Sequence, residues 1–199
     1  MHENHLGFLA VHVATLQSGL RFPIPRPVVK ILHALGLSPT QLAPNSYSIL
    51  LSFAVLMRCL GFPASFENFW DLFNCQSSAK SESSDNTGFY YITARPGRKI
   101  ILPITTSFGK FWKERWFYIR PHQGIEFPVL RRWATGKVNP GKVGRPSWGN
   151  NQLEHLLNLY PLDARLLCTE RALVRAGLSP AEVEGADGTV LGSPSTLIV

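Results

Sequence analysis

Between residues 88 and 120 the chain reads GFYYITARPGRKIILPITTSFGKFWKERWFYIR, and no other stretch restricts the fold as much. Two runs rich in apolar and β-branched residues, 89–94 and 99–104, flank the turn signal Arg95-Pro96-Gly97-Arg98, so they read as an antiparallel hairpin. Trp116-Phe117-Tyr118-Ile119 is apolar at consecutive positions and needs cover on both faces. A strand inside a small sheet backed by helices obtains that cover. The expectation is a three-stranded antiparallel sheet around which the rest of the chain is organised.

What precedes the sheet is helical in pattern. Leu6, Leu9, Val13 and Leu16 recur at helical spacing and Gly19 stands at a left-handed cap position, which predicts a helix over 6–18. Alternate prolines in Arg21-Phe22-Pro23-Ile24-Pro25-Arg26-Pro27 impose extended geometry, while Pro27 suits a first helical position for a helix running to Leu35 and stopped by Gly36. Ser38-Pro39 starts a short helical turn. Pro44-Asn45-Ser46 opens a helix over 47–60, ended by Gly61, whose only polar interruptions are Ser46, Ser48, Ser52 and Arg58. Apolar on nearly every side, it is expected as the buried helical centre of the core rather than a membrane span. Ser65 caps a fourth helix in which Phe66, Phe69, Trp70 and Phe73 share one face, a stripe that reads as core. Residues 75–87 are too polar to bury and read as a loop.

After the sheet, 121–147 is rich in Gly, Pro, Arg and Lys without periodicity: a basic arm, docked on the body by Trp133 and Trp148. Leu153, Leu156, Leu157 and Tyr160 give a helical stripe, and Pro161 opens a further helix through Arg175 with Gly177 as its cap. The segregation of these patterns predicts an α+β domain over 1–120, with N-terminal helices packed on the sheet. A basic arm over 121–148, a short helical segment over 149–184 and a frayed tail over 185–199 follow.

A chain of 199 residues, 45% hydrophobic and 17% charged, is long enough to bury roughly 70% of its unfolded surface. The net charge of +7 is unevenly placed: residues 95–145 hold 12 Lys or Arg against Glu114 and Glu126, while the remainder holds 8 basic and 11 acidic residues. Cys59, Cys75 and Cys168, separated by 16 and 93 positions, fit neither a disulfide framework nor a zinc knuckle, and a reducing compartment is expected. No run approaches the roughly 18 apolar residues of a membrane helix, and no basic segment followed by an apolar one opens the chain. The expectation is a soluble, unsecreted protein of the nucleus or cytoplasm without a membrane partner.

An ordered set of short pieces resembles the plant family labelled putative gypsy-type transposon, also called a putative gypsy-type transposase domain, which is retrotransposon-derived. The pieces are Ser18-Gly19-Leu20-Arg21-Phe22-Pro23, Leu35-Gly36-Leu37-Ser38-Pro39-Thr40-Gln41-Leu42 with Pro44-Asn45, and Cys59-Leu60-Gly61-Phe62-Pro63. Phe89-Tyr90-Tyr91 with Arg95, Lys110-Phe111-Trp112-Lys113 and Arg115-Trp116-Phe117-Tyr118 complete the set, and Tyr47 stands where Trp is more typical. The resemblance implies an amino-terminal part of a transposable-element protein and carries no enzyme assignment with it. A shortened, element-derived product fits a chain that stops at Val199 without the long charged helices such proteins often continue into.

A transposase of the RNase H type needs three carboxylates converging on two metal ions. Between Asn86 and Leu153 only Glu114 and Glu126 are acidic, and Glu114, set between Lys113 and Arg115, reads as surface charge balance. Asp187-Gly188-Thr189 reads as a loop. His2, His5, His12, His33, His122 and His155 have no Cys partners at ligand spacing, so neither metal nor other cofactor is expected. Cys59, placed in the apolar helix, reads as a small hydrophobe with a raised pKa, and Gly141 and Gly144 lack a phosphate loop's context.

These readings imply a non-catalytic structural or interaction module, gag-like by analogy, that associates with itself or with another element-encoded protein. The alternative is sequence-tolerant binding to a DNA or RNA backbone through the basic block. Its contacts would be Arg95, Arg98 and Lys99 at the hairpin turn, Lys110, Lys113 and Arg115 before the third strand, and Arg131, Arg132, Lys137, Lys142 and Arg145 along the arm. Tyr90, Trp116 and Tyr118 are assigned to filling the core, which leaves few rings for stacking. A transposase is the remote alternative.

Overall fold

The structure, a computed structural model, describes residues 8–78, 87–104, 108, 112–120, 135–158, 161–179, 183–184 and 190–191. In chain order they form β1 (Leu9–His12), α1 (Val13–Gln17), α2 (Arg26–Leu35), a 3-10 turn (Pro39–Gln41), α3 (Pro44–Cys59), α4 (Phe66–Leu72), β2 (Phe73–Ser77) and β3 (Tyr90–Ala94). These are followed by β4 (Ile101–Leu102), β5 (Trp116–Ile119), α5 (Asn150–Asn158), β6 (Leu162–Asp163), α6 (Ala164–Leu167), α7 (Glu170–Arg175), β7 (Val183–Glu184) and β8 (Val190–Leu191). Helices and strands are mixed, as an α+β reading requires.

The core is built around α3, whose residues from Pro44 to Met57 are buried apart from Asn45. Its three serines serve as docking points. Ser46 Oγ accepts the Ile92 N–H at 2.9 Å and Ser48 Oγ the Ile104 N–H at 3.4 Å, while Ser52 Oγ lies 3.3 Å from Cys168 Sγ. Tyr47 donates its hydroxyl to Pro39 O at 2.6 Å, which satisfies the one polar atom of a fully buried ring. Against this helix pack the rings of α4 and β2: Phe53 meets Phe69 at 5.7 Å and Phe73 at 6.1 Å, edge to face, and Phe69 stacks on Phe73 at 5.3 Å. The α4 stripe is therefore core, with Phe66 and Trp70 stacked at its margin.

The local punctuation acts as its chemistry dictates. Gly36 closes α2 at φ 68°, and Ser65 caps α4 by accepting the Asn68 N–H. Gly19 is required twice over: its φ is +98°, and a Cβ there would stand 3.2 Å from Leu51 Cδ1 and 3.5 Å from Cys168 Cβ.

The strands differ from expectation. Residues 89–94 and 99–104 do not pair with each other. β3 pairs antiparallel with β2, Cys75 opposite Ile92, and β4 pairs in parallel with β6. The turn itself is present, with Arg98 N–H donating to Arg95 O at 2.9 Å and Gly97 at φ 70°. Proline second and a positive-φ glycine third make an unprimed turn, which splays its flanking strands instead of zipping them. The third expected strand, β5, pairs antiparallel with β1 through Leu9↔Ile119, Ala10↔Tyr118, Val11↔Phe117 and His12↔Trp116. In place of one three-stranded sheet, the described strands form separate two-stranded pairs, with β7 and β8 as a further one.

That pairing also corrects the first helix. Only Val13–Gln17 is helical, and Leu9–His12 is strand, because β5 supplies hydrogen bonds that the helical spacing of Leu6, Leu9, Val13 and Leu16 cannot outweigh. Cys75, Gln76 and Ser77, expected in a loop, end β2, while 79–86 lie outside the described residues. The helix expected from Pro161 to Arg175 is divided. Leu162 donates its N–H to Ile100 O at 2.9 Å, Asp163 then caps α6 and Thr169 caps α7. Both short helices pack on α3, and Arg21 Nε, 3.0 Å from Glu170 Oε2, joins α7 to the proline-rich segment. The tail expected over 185–199 lies outside the described residues except for β8.

Candidate interaction surface

The β1–β5 ribbon has two unlike faces, because side chains alternate along each strand. Leu9 and Val11 are buried, and opposite them Ile119 and Phe117 pack against the core. On the other face lie Ala10 with Tyr118 and His12 with Trp116, joined by Phe8 just before β1. Trp116 is 41% exposed and Phe8 40%. Tyr118, half-buried, sits between them, meeting Trp116 edge to face at 4.9 Å and Phe8 at 6.2 Å. The expectation that Trp116 and Tyr118 fill the core is thereby corrected. Tyr90 alone of the three does so, at 0% exposure.

Cations border this face. The Arg120 guanidinium stands 6.0 Å from the Phe8 ring centre, and Lys113 Nζ lies 4.3 Å over Phe89 and 5.7 Å from Trp112. Trp112 and Phe89 meet edge to face at 5.5 Å and cover His12, whose ring is 5.0 Å from Trp112 and 2% exposed. Arg115 is exposed, and its carbonyl accepts the Val13 N–H at 3.0 Å, extending the ribbon by one bond. Neither Phe8 nor Arg120 was among the expected contacts. The signal available for Arg120 was its place two residues beyond Tyr118, on the same face of an alternating strand.

The remaining expected contacts divide by environment. Arg95 donates Nε–H to Trp70 O at 2.6 Å and lies 4.9 Å over the Trp70 ring, and Arg98 is 4.0 Å from Asp71. Both are half-buried and tied to α4, which makes them fasteners of the turn. Lys99, Lys137, Lys142 and Arg145 are exposed. Lys110, Arg131 and Arg132 lie outside the described residues, as does Trp133.

The basic arm is held by polar contacts to α4. Asn68, fully buried, accepts the Ser147 N–H at 2.7 Å, and its amide donates to Ser147 Oγ at 2.7 Å and Pro63 O at 2.8 Å. Trp148 is buried against Phe62 at 5.8 Å and donates its indole N–H to Asp71 at 3.0 Å. The near end is fixed by Tyr90, whose hydroxyl donates to Gly136 O at 2.7 Å.

Two of the three thiols, Cys75 and Cys168, are placed for packing. Burial pushes the Cys75 thiol up to about 12 and raises Cys168, which donates towards Ser48 O at 3.4 Å. Cys59, expected among the apolar residues of α3, is exposed at its last turn beside Arg58. An open, apolar depression of about 210 Å³ lies between Leu60, Phe62 and α5 residues Gln152, His155 and Leu156. It is smaller than the roughly 300–1,000 Å³ of ordinary small-molecule sites.

Residues 10–77 match the family model described as putative gypsy type transposon. This transposon-related segment is about a third of the chain, running from β1 through α3 to the end of β2. It takes in three of the short pieces, Ser18–Pro23, Leu35–Asn45 and Cys59–Pro63, while those from Phe89 onward lie beyond it. The transposon-related segment therefore supplies α3 with the larger part of the core and most of one strand of the ribbon, while Tyr90, Ile92, Trp148 and Leu173 of the core, Trp116, Tyr118 and the arm come from outside it. No curated protein and no solved structure matches the chain.

Proposed function

We propose that the chain is a non-catalytic interaction module, gag-like by analogy, of a transposable-element-derived protein. The observation that carries this reading is the β1–β5 ribbon, whose outer face holds Trp116 and Phe8 at about two-fifths exposure, a surface made for contact. Supporting it, Cys75 and Cys168 are engaged in packing and raised in pKa. Light scattering across a concentration series, with pull-downs from cell extract before and after nuclease, tests the reading. Association that survives nuclease supports it; a strict monomer that recovers nothing refutes it. Nicking or strand transfer with magnesium or manganese, abolished in Glu114→Gln, would overturn its non-catalytic part.

A second reading is sequence-tolerant nucleic-acid binding, favoured by the exposure of Lys99, Arg115, Lys137, Lys142 and Arg145, none of which forms an ion pair with a described residue. Affinity for a duplex then falls with salt at a log–log slope of about −0.9 per phosphate neutralised. Reversing Lys137, Lys142 and Arg145 to Glu flattens that slope. Binding indifferent to salt and to the reversals removes the reading.

A further inference from the structure

We infer that the stretch of the basic arm over 136–148 is a pre-ordered strap for the phosphate backbone of double-stranded nucleic acid, with Lys137, Lys142 and Arg145 as its contacts and Lys99 beyond its far end. The inference rests on the nucleic-acid reading above and adds the element that makes the contact, the strand state of the ligand and what the tying-down of the arm achieves.

Three observations converge on it. First, the strap is fixed at both ends and open between them. The Tyr90 hydroxyl holds Gly136 O at 2.7 Å, Asn68 holds the Ser147 N–H and Oγ at 2.7 Å each, and Asp71 accepts the Trp148 indole N–H at 3.0 Å. Gly144 lies so close to α4 that a Cβ there would stand 3.1 Å from Glu67 Cγ, whereas a Cβ at Gly136 or Gly141 would meet nothing within 4 Å. Asn139 Oδ1 accepts the Gly141 N–H at 3.1 Å, which fixes the chain just before Lys142. With the strap already ordered, less conformational freedom is lost when a ligand binds. Second, its side chains are sorted. Val138 packs against the core, Pro140, Val143 and Pro146 are half-buried, and Trp148 is buried. Lys137, Lys142 and Arg145 are exposed, and none of them has a hydrogen bond, ion pair or ring contact with the rest of the described chain. A surface of cations without an exposed large apolar or aromatic side chain gives a protein partner no anchor and an unpaired base no ring to stack on. It matches charge repeated along a backbone, and a duplex carries that at high density, about one phosphate per 1.7 Å of axis. Third, Asp71 also lies 4.0 Å from Arg98, so the turn that precedes the exposed Lys99 meets the strap at Trp148, and two parts of the basic block far apart in sequence adjoin. The carboxylates that α4 sets against the strap, Glu67 and Asp71, are half-buried, and Asp71 is engaged by Trp148 and Arg98.

The test uses the full chain with a fluorescein-labelled DNA duplex of mixed sequence, and one of its strands alone, in anisotropy titrations over a salt series. The expected result is tighter binding of the duplex, with a log–log salt slope that falls by roughly 2.7 when Lys137, Lys142 and Arg145 are all reversed to Glu, at about 0.9 per phosphate. Asn68→Ala keeps every cation but frees the strap, so it should weaken duplex binding roughly three- to thirtyfold with the slope unchanged, because ordering moves to the binding step. Tyr90→Phe removes only the hydroxyl that holds Gly136 and should act in the same direction to a smaller degree. On the unaltered protein the duplex should protect the bonds after Lys137 and Lys142 from trypsin, a readout that does not depend on any variant folding. A single strand bound as tightly as the duplex, or poly(glutamate) displacing the duplex at equal charge, would overturn the ligand assignment. Salt-dependent affinity unmoved by the triple reversal, or no protection from trypsin, would sink the inference while leaving backbone binding elsewhere on the chain. Asn68→Ala and Tyr90→Phe both binding as tightly as the unaltered chain would refute the pre-ordering. No binding to either probe at low salt would remove the nucleic-acid reading altogether.

Discussion

Replacing Asn68 with Ala should release the basic arm from the body. The Asn68 side chain is fully buried and forms three hydrogen bonds: to Pro63 O, to Ser147 Oγ and from Ser147 N–H. At a net contribution of about 1 kcal/mol each, their loss amounts to roughly 3 kcal/mol, and stranding the Pro63 carbonyl or the Ser147 N–H without water would add to it. That is a large share of an ordinary domain's stability of about 5–15 kcal/mol. Ser147→Ala removes a single acceptor while its backbone N–H still reaches Asn68, so it should cost only about 1 kcal/mol. Urea unfolding followed by tryptophan fluorescence measures both, with Trp148, next to Ser147 and buried against Phe62, as the local reporter. Limited trypsinolysis gives a second reading, since freeing the arm should speed cleavage after Lys137 and Lys142 well ahead of global unfolding. If Asn68→Ala and Ser147→Ala prove alike, and neither changes cleavage, the arm is not held by this asparagine.

Three further outcomes follow from the packing around α3 and α7. Ser46→Ala strands the buried Ile92 N–H and should lower the urea-derived stability by about 1–3 kcal/mol, with faster amide exchange in β3. Gly19→Ala meets both a φ of +98° and Leu51 at 3.2 Å, so it should cost on the order of 1–3 kcal/mol; a smaller loss would mean that the turn can open. The Ser179 hydroxyl, and then Arg21, hold the Glu170 carboxyl below its ordinary value. Because the folded value is the depressed one, this stabilisation is complete above the unfolded carboxylate pKa of about 4.3 and is lost as pH falls through the lower folded value. Denaturation midpoints taken against pH should show that acid-side loss in the unaltered protein and a shallower one in Glu170→Gln.

Helices α2, α3 and α4 were legible in the sequence because a helix closes its hydrogen bonds within its own segment, whereas the helix expected over 6–18 yielded its first part to β1 and that expected from Pro161 to Arg175 is divided. Pro44 at the start of α3, Ser65 before α4, Gly36 after α2 and the Phe66–Phe69–Trp70 spacing within α4 are local signals that act as their chemistry predicts, whereas Phe73, expected on the same helical face, begins β2. Fixed in the same way was the concentration of cations between residues 95 and 145. What the tertiary structure decided was where strands find partners and which side chains are left outside. A strand's hydrogen bonds are completed by another segment, and nothing local to Leu9–His12 names Trp116–Ile119, or local to Ile101–Leu102 names Leu162–Asp163. The run Trp116-Phe117-Tyr118-Ile119 is uniformly apolar, so only the register against β1, with Leu9 and Val11 turned inward, puts Phe117 and Ile119 in the core and leaves Trp116 facing solvent. Arg95 and Lys99 look alike as positive charges in the sequence. Only the approach of Trp70 makes the first a fastener and leaves the second on the surface, because a charge's role is set by what the fold brings within a few ångströms of it.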